Sequence, residues 1–396
     1  MKRKLFSLTV TALVSTLLLA GCGKYGKDPS TTETSSTTSS QTQTAAVVDP
    51  NAPLTINDKL VDKEIMSKGP DGENAVSAKT LKLTPEDLKK IKEGNYTAAI
   101  VMHYAGNDWS TAQIKGIEEA MTRMGIKIIA KTDANFKPEK QVSDIETVMA
   151  KKPDVIIAIP VDPASTADAF KRAAAQGTKI VFMDNKPTGL TAGKDYVSVV
   201  SADNYGNGIV AADIMAEAIG KKGEIGVIYH DADFFVTRQR TDAFEKTIKE
   251  QYPDIKIVDR GGIAGPNDGE KVAAALLTKH PNMKGMFVVW DVPAEGAMAA
   301  ARTAGRNDLA ITTIDLGTNV AYEIAQGGII KGLGAQLPYD QGIAESILAG
   351  YALLGKEAPS YVAVPSLSVN QLNLADSWKT VYHSEVPDLI KKALQK

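Results

Sequence analysis

Residues able to do chemistry gather at one kind of place in this sequence, directly after short apolar runs. Asn107, Asp108 and Trp109 follow Ala98 to Met102, and Pro160-Val161-Asp162 follows Val155 to Ile159. Asp184-Asn185 follows Lys179 to Met183, and Asp203-Asn204 follows Tyr196 to Val200. Further on, Arg238 and Arg240 come after Gly223 to Tyr229, Trp290-Asp291 ends the run from Gly285, and Asp315 closes that from Ala310. Each has an ordinary explanation: Asp and Asn cap helices, Trp fills cores, and Arg240 can be a surface helix residue. Their joint occurrence carries more weight. Carboxylates, amides and guanidinium groups pair with hydroxyls that donate and accept, while an indole face covers the C–H side of a ring. The mixture suits a small polyol. It also rejects analogues lacking a hydroxyl, because a buried polar partner would be stranded. No catalytic residue is needed.

The apolar runs read as strands. Besides those named, Lys127 to Lys131, Ile255 to Arg260 and Lys331 to Ala335 fit the pattern, and several are apolar on consecutive residues, as strands covered on both faces are. Amphipathic stretches such as Ser110 to Arg123 and Ala164 to Gln176 lie between, the latter ending before Gly177, a helix stop. Alternation of this kind predicts an α/β fold with right-handed crossovers and mainly parallel sheets. The scheme starts again at Gly223, and the folded length exceeds what one core supports, so two doubly wound lobes are expected. In open α/β sheets ligands sit beyond the carboxyl ends of strands, where the polar and aromatic residues fall.

Over Tyr96 to Val369 the chain resembles the type 1 periplasmic binding proteins, the ribose and galactose group of sugar ABC importers. The stretches that carry the resemblance are Pro153-Asp154-Val155-Ile156-Ile157, Ala175-Gln176-Gly177, Ser201-Ala202-Asp203-Asn204, Leu276-Leu277-Thr278-Lys279-His280-Pro281 and Ala335-Gln336-Leu337-Pro338. Each is weak alone; their order is specific. The resemblance implies a ligand shell with Asn107 and Trp109 after the first strand, the carboxylates Asp184 and Asp315, Arg238 opening a second-lobe helix, and Gln336 at a lobe crossing. Ser110, Asn185, Asp203 and Trp290 complete the candidate set. It further implies three crossings between lobes, near Ala202, Leu337 and Ser368. The first lobe is then 95–202 with 337–367, and the second 203–336 with 368–396. Departures point away from ribose itself: Asn185 stands where an Arg is common, Trp290 where ribose binders have Asn, and Ser110 and Ala264 where they have aromatics. A different sugar, a sugar alcohol or a related polyol is expected, bound by a monomer that delivers it to ABC permease subunits.

The first residues bear on the compartment. Lys2, Arg3 and Lys4 precede an apolar stretch from Leu5 to Leu19, then Leu19-Ala20-Gly21-Cys22. This is the pattern of a signal peptide over 1–21. Cys22 is the only cysteine, so no intramolecular disulfide forms. Its setting resembles the lipobox of bacterial lipoproteins, which implies a diacylglycerol on Cys22 and extracytoplasmic attachment to the cell membrane, on a periplasmic side or an outer face. Twelve of the fifteen residues 30–44 are Ser or Thr, and none is apolar, which predicts a tether within the extension 22–94. Leu81 to Lys92 fits one short helix capped by Thr84, able to dock on the body.

Other functions have weaker support. Formal charge is −2, with no basic stripe, which argues against nucleic acid. Gly206-Asn207-Gly208-Ile209-Val210-Ala211 fits a dinucleotide-binding pattern but follows the fifth strand of its set, with no strand-end acid at the right distance to hold a ribose, so no cofactor is expected. Close packing or a hinge accounts for its glycines. His103, His230, His280 and His383 lack the short spacing of a metal site. A glycosidase needs two carboxylates flanking one bond, for which Asp184 and Asp315 are the candidates. A binding protein of the same fold serving a signalling molecule or a chemoreceptor is the other alternative. A regulator with this core would begin with a helix-turn-helix.

Overall fold

A computed structural model describes Asp49 and residues 52–395. The expected signal peptide, Cys22 and the Ser/Thr tether lie outside the described residues. No described helix is long and apolar enough to cross a membrane.

The elements alternate as the apolar runs require. After β1 (Val76–Ser77) and α1 (Pro85–Glu93) come β2 (Thr97–Met102), α2 (Asp108–Met124), β3 (Lys127–Asp133), α3 (Pro138–Met149), β4 (Val155–Ala158), α4 (Ala167–Ala175), β5 (Lys179–Met183) and β6 (Ser198–Ala202). The second series is α5 (Asn204–Ala218), β7 (Gly223–His230), α6 (Phe235–Gln251), β8 (Ile255–Ile263), α7 (Gly269–Lys279), β9 (Gly285–Val288), α8 (Asp291–Thr303), β10 (Ala310–Ile314), α9 (Thr318–Ala325) and β11 (Ile330–Ala335). The chain closes with α10 (Pro338–Leu353), β12 (Tyr361–Val364), β13 (Leu367–Asn370), α11 (Leu374–Tyr382) and α12 (Asp388–Leu394).

Two sheets result. The first has the order β1-β12-β6-β5-β4-β2-β3, and all its pairs are parallel. The second has the order β13-β11-β10-β9-β7-β8, parallel except for the edge pair β13 with β11. Strands β4, β6, β9, β10 and β12 are buried at every position, because helices cover both faces. The chain passes between the sheets three times: from β6 into α5, from β11 into α10, and from β12 into β13.

Several boundaries differ from the sequence reading for local reasons. Helix α4 starts three residues late because Asp162 first accepts the backbone N–H groups of Ala164 and Ser165, both at 2.8 Å, closing a turn. Trp290 is not strand but the extended residue that caps α8. The expected helix after Leu81 begins at Pro85, where Thr84 and Asp87 form a reciprocal capping box. Of the glycines of the dinucleotide-like pattern, Gly206 packs against Asp203 and Ser366 where the chain passes between the sheets, and Gly208 lies at a helix crossing. A Cβ at Gly208 on α5 would collide with the Arg240 carbonyl on α6.

Candidate functional site

The carboxyl ends of the two sheets enclose a cavity of about 270 Å³. Its lining follows from strand ends: His103 after β2, Asp184 after β5, His230 at the end of β7, Ala264 after β8, Trp290 after β9, Asp315 after β10 and Gln336 after β11. One part of the wall is polar. Arg240 Nη1 lies 3.5 Å from Asp315 Oδ2, and Gln336 Nε2 donates to Asp315 Oδ1 at 2.8 Å. Asp184 Oδ1 accepts from the Ser201 hydroxyl at 2.7 Å.

A belt of rings forms another part, with Ile159, Val161, Val236 and the polar Asp162, Asp233 and Thr237 also in the wall. His103 lies edge-on to Phe136, with centroids 5.0 Å apart, and stacks on Phe234 at 5.9 Å. Tyr104 stacks on Phe136 at 5.0 Å, and His230 meets Trp290 edge-on at 5.1 Å. Trp109 also lines the cavity, and its buried Nε1 has no acceptor among the described residues.

Burial governs the charges. It pushes Asp184 up to about 6, against the Ser201 hydroxyl and Arg240, both of which favour the carboxylate. Asp315 is raised for the same reason, held back by Arg240 and Gln336. Asp291, buried next to the cavity wall, stands well above the usual carboxylate range, through burial first and repulsion from Asp315 second. Burial, with His230 nearby, drops His103 to about 3, and burial with Arg240 nearby lowers His230. Both imidazoles are neutral at pH 7 and present polar edges without charge.

Of the sequence-derived candidates, the cavity wall contains Asn107, Trp109, Asp184, Trp290, Asp315 and Gln336. Four stand elsewhere. Ser110 is buried behind the wall, closing a capping box with Asn107. Asn185 is buried outside the cavity wall, and its Oδ1 accepts from Phe235 N of the opposite half at 3.2 Å. Asp203 caps α5 and accepts from Gly206 N and from Ser67. Arg238 points to solvent and pairs with Asp233.

Arg240 replaces Arg238 in the cavity. Val236, Arg240 and Phe244 repeat every four residues on the buried side of α6, and a residue two positions away faces outward. An arginine inside an apolar stripe was the available signal. The rings of His103, Tyr104, Phe136, His230 and Phe234 were also missed. His103 and His230 stand at strand ends, but they lie far apart in the sequence and lack the short spacing of metal ligands. Phe136 reaches the cavity from the loop after β3, with a left-handed backbone (φ 56°), which no periodicity announces.

The remaining histidines serve as hydrogen-bond partners: His280 Nε2 lies 3.0 Å from Asp259 Oδ2, and His383 Nε2 lies 3.0 Å from Asp340 Oδ2.

The chain is similar to known proteins over most of its length. The ribose import binding protein of Escherichia coli is 24% identical over 289 residues, which cover 71% of this chain and 93% of that protein. The D-apiose import binding protein of Actinobacillus succinogenes is 27% identical over 252 residues, covering 62% and 78%. An ABC transporter periplasmic solute-binding protein of Actinobacillus succinogenes, solved with bound D-allose, superposes with a TM-score of 0.65 at 27% identity, covering 71% of this chain and 99% of that one. Residues 98–357 match the family described as periplasmic binding protein domain, and the chain belongs to that family.

Proposed function

We propose that the chain is the extracytoplasmic solute-binding protein of an ABC importer and that it holds a sugar or sugar-like polyol in the cavity between its sheets. The observation that carries this reading is the convergence of Asp184, Arg240, Asp315 and Gln336 from both halves upon one cavity that also presents a belt of rings. Hydroxyls of a ring or polyol bond the polar side, and its C–H faces lie against Trp109 and Trp290. A ligand touching both halves stabilises the closed arrangement, and release to permease subunits requires reopening. Relatives that import ribose and D-apiose and a solved relative holding D-allose support this class of ligand.

The same reading extends to the N-terminus. Export by the segment 1–21 and lipid attachment at Cys22 place the body at the membrane face where an importer is met; loss of detergent-phase partitioning in Cys22→Ser tests the anchor. A thermal-shift screen of pentoses, hexoses and sugar alcohols tests the ligand class. A tight ligand raises the melting temperature by mass action and, through Trp109 and Trp290, changes tryptophan emission. A panel without any stabilising sugar or polyol overturns the reading.

A further inference from the structure

Residues 52–95 precede the stretch matched by the family, and none of them lines the cavity. Yet this extension touches all three passages of the chain between the sheets. Ser67 donates its N–H and its hydroxyl to Asp203 Oδ1, both at 2.9 Å, and its Oγ accepts from Tyr205 N at 2.9 Å, at the first passage. Asn57 N donates to Asp340 Oδ1 at 2.7 Å beside the second. Lys63 Nζ donates to Ser366 Oγ at 2.8 Å in the third. The Lys68 carbonyl accepts from Gln239 Nε2 at 2.7 Å, one residue from Arg240.

The first of these contacts leads into the cleft. Asn204 follows Asp203; its Nδ2 donates to Ser201 Oγ at 2.9 Å and its Oδ1 accepts from Arg240 Nε at 2.8 Å. Ser201 in turn donates to Asp184, and Arg240 faces Asp315. A continuous buried chain therefore runs Asp184–Ser201–Asn204–Arg240–Asp315 and joins the cavity carboxylate of one sheet to that of the other. Ser67 is 1% exposed, so its bonds form where water does not compete and where an unmade bond is costly.

We propose that Ser67 is a positioning residue of the cleft. By holding Asp203 it fixes Asn204, and Asn204 sets Arg240 against Asp315 and links it to Asp184. The extension thereby straps the hinge, and the Asp203 carboxylate faces this strap instead of a ligand. The inference rests on the cleft being the ligand site, but its test needs no ligand, so the two fail separately: a failed sugar screen leaves the Ser67 result standing.

The Nε–H of Arg240 reports the geometry directly in nitrogen-15 spectra of the mature chain, its signal identified by its loss in Arg240→Lys. Solvent exchange of this proton is the readout, with Asn204→Ala giving the rate when its acceptor is gone. In Ser67→Ala, exchange should rise at least tenfold toward that rate, while backbone amides of β4 and β9 keep their protection. Ser67→Thr, which retains the hydroxyl, should restore the slow exchange. Unchanged exchange in Ser67→Ala overturns the proposal, and so does an equal loss of protection at Arg240, β4 and β9, which marks general destabilisation.

Discussion

Asp184 and Asp315 end corresponding strands of the two sheets, and both have left-handed backbone, with φ of 54° and 73°. This conformation costs an ordinary residue about 1 to 2 kcal/mol, and Asp is among the few that visit it. The pair is thus strained and desolvated together at the cleft. Because burial raises Asp184 above its unfolded value, its contribution to stability is complete below pH about 4 and is lost as pH rises through about 6. The ligand-free Asp184→Asn protein lacks this loss. Denaturant melts should show it gaining on the native sequence between those pH values by about 3 kcal/mol. A constant difference across that range contradicts the assigned environment. For binding, Trp109→Ala and Asp184→Ala should each weaken calorimetric affinity for a sugar identified by the screen at least tenfold, or about 1.4 kcal/mol. Affinity unchanged in both removes them from the site.

At the scale of elements, glycines decide how near helices come to the cleft. Gly116 on α2 and Gly342 on α10 allow backbone-to-backbone packing within the first half, since a Cβ on either would strike the partner helix. Gly208 does the same between α5 and α6, and the carbonyl it makes room for belongs to Arg240. Gly208→Ala should cost about 1 to 3 kcal/mol in a thermal or chemical melt, as overpacking does, and should also weaken sugar binding by moving Arg240. A stable variant with native affinity would mean that the crossing relaxes without disturbing the cavity. The capping box at α1 is a smaller device of the same kind. Thr84→Ala should lower stability by about 1 kcal/mol without altering the cleft.

For the whole molecule, contacts across the cleft hold the two halves together. Asp108 Oδ2 accepts from Thr318 N at 2.6 Å, joining the start of α2 to the start of α9. Asn185 Oδ1 accepts from Phe235 N, and His103 stacks on Phe234. Under the proposed opening of the cleft these bonds break, so removing one is expected to shift the population toward the open form. Asp108→Ala should increase the radius of gyration of the ligand-free protein in X-ray scattering and weaken sugar affinity severalfold. An identical scattering curve and affinity would show that this bond does not hold the halves closed.

Much of this plan was legible in the chain itself. Apolar runs followed by helical stretches and glycine stops determined strands such as Lys179–Met183 to the residue, because burial on both faces demands apolar side chains in succession. Strand ends then located Trp109, Asp184, Trp290 and Asp315, since parallel sheets bring their carboxyl ends together. Tertiary structure alone decided which neighbours turn into the cavity. Arg240 enters and Arg238 does not through the phase of one helix; Asp203 faces Ser67, a residue far earlier in the chain. Phe136 arrives through a loop. Such choices depend on contacts between distant segments, whose geometry leaves no periodic mark in the order of residues.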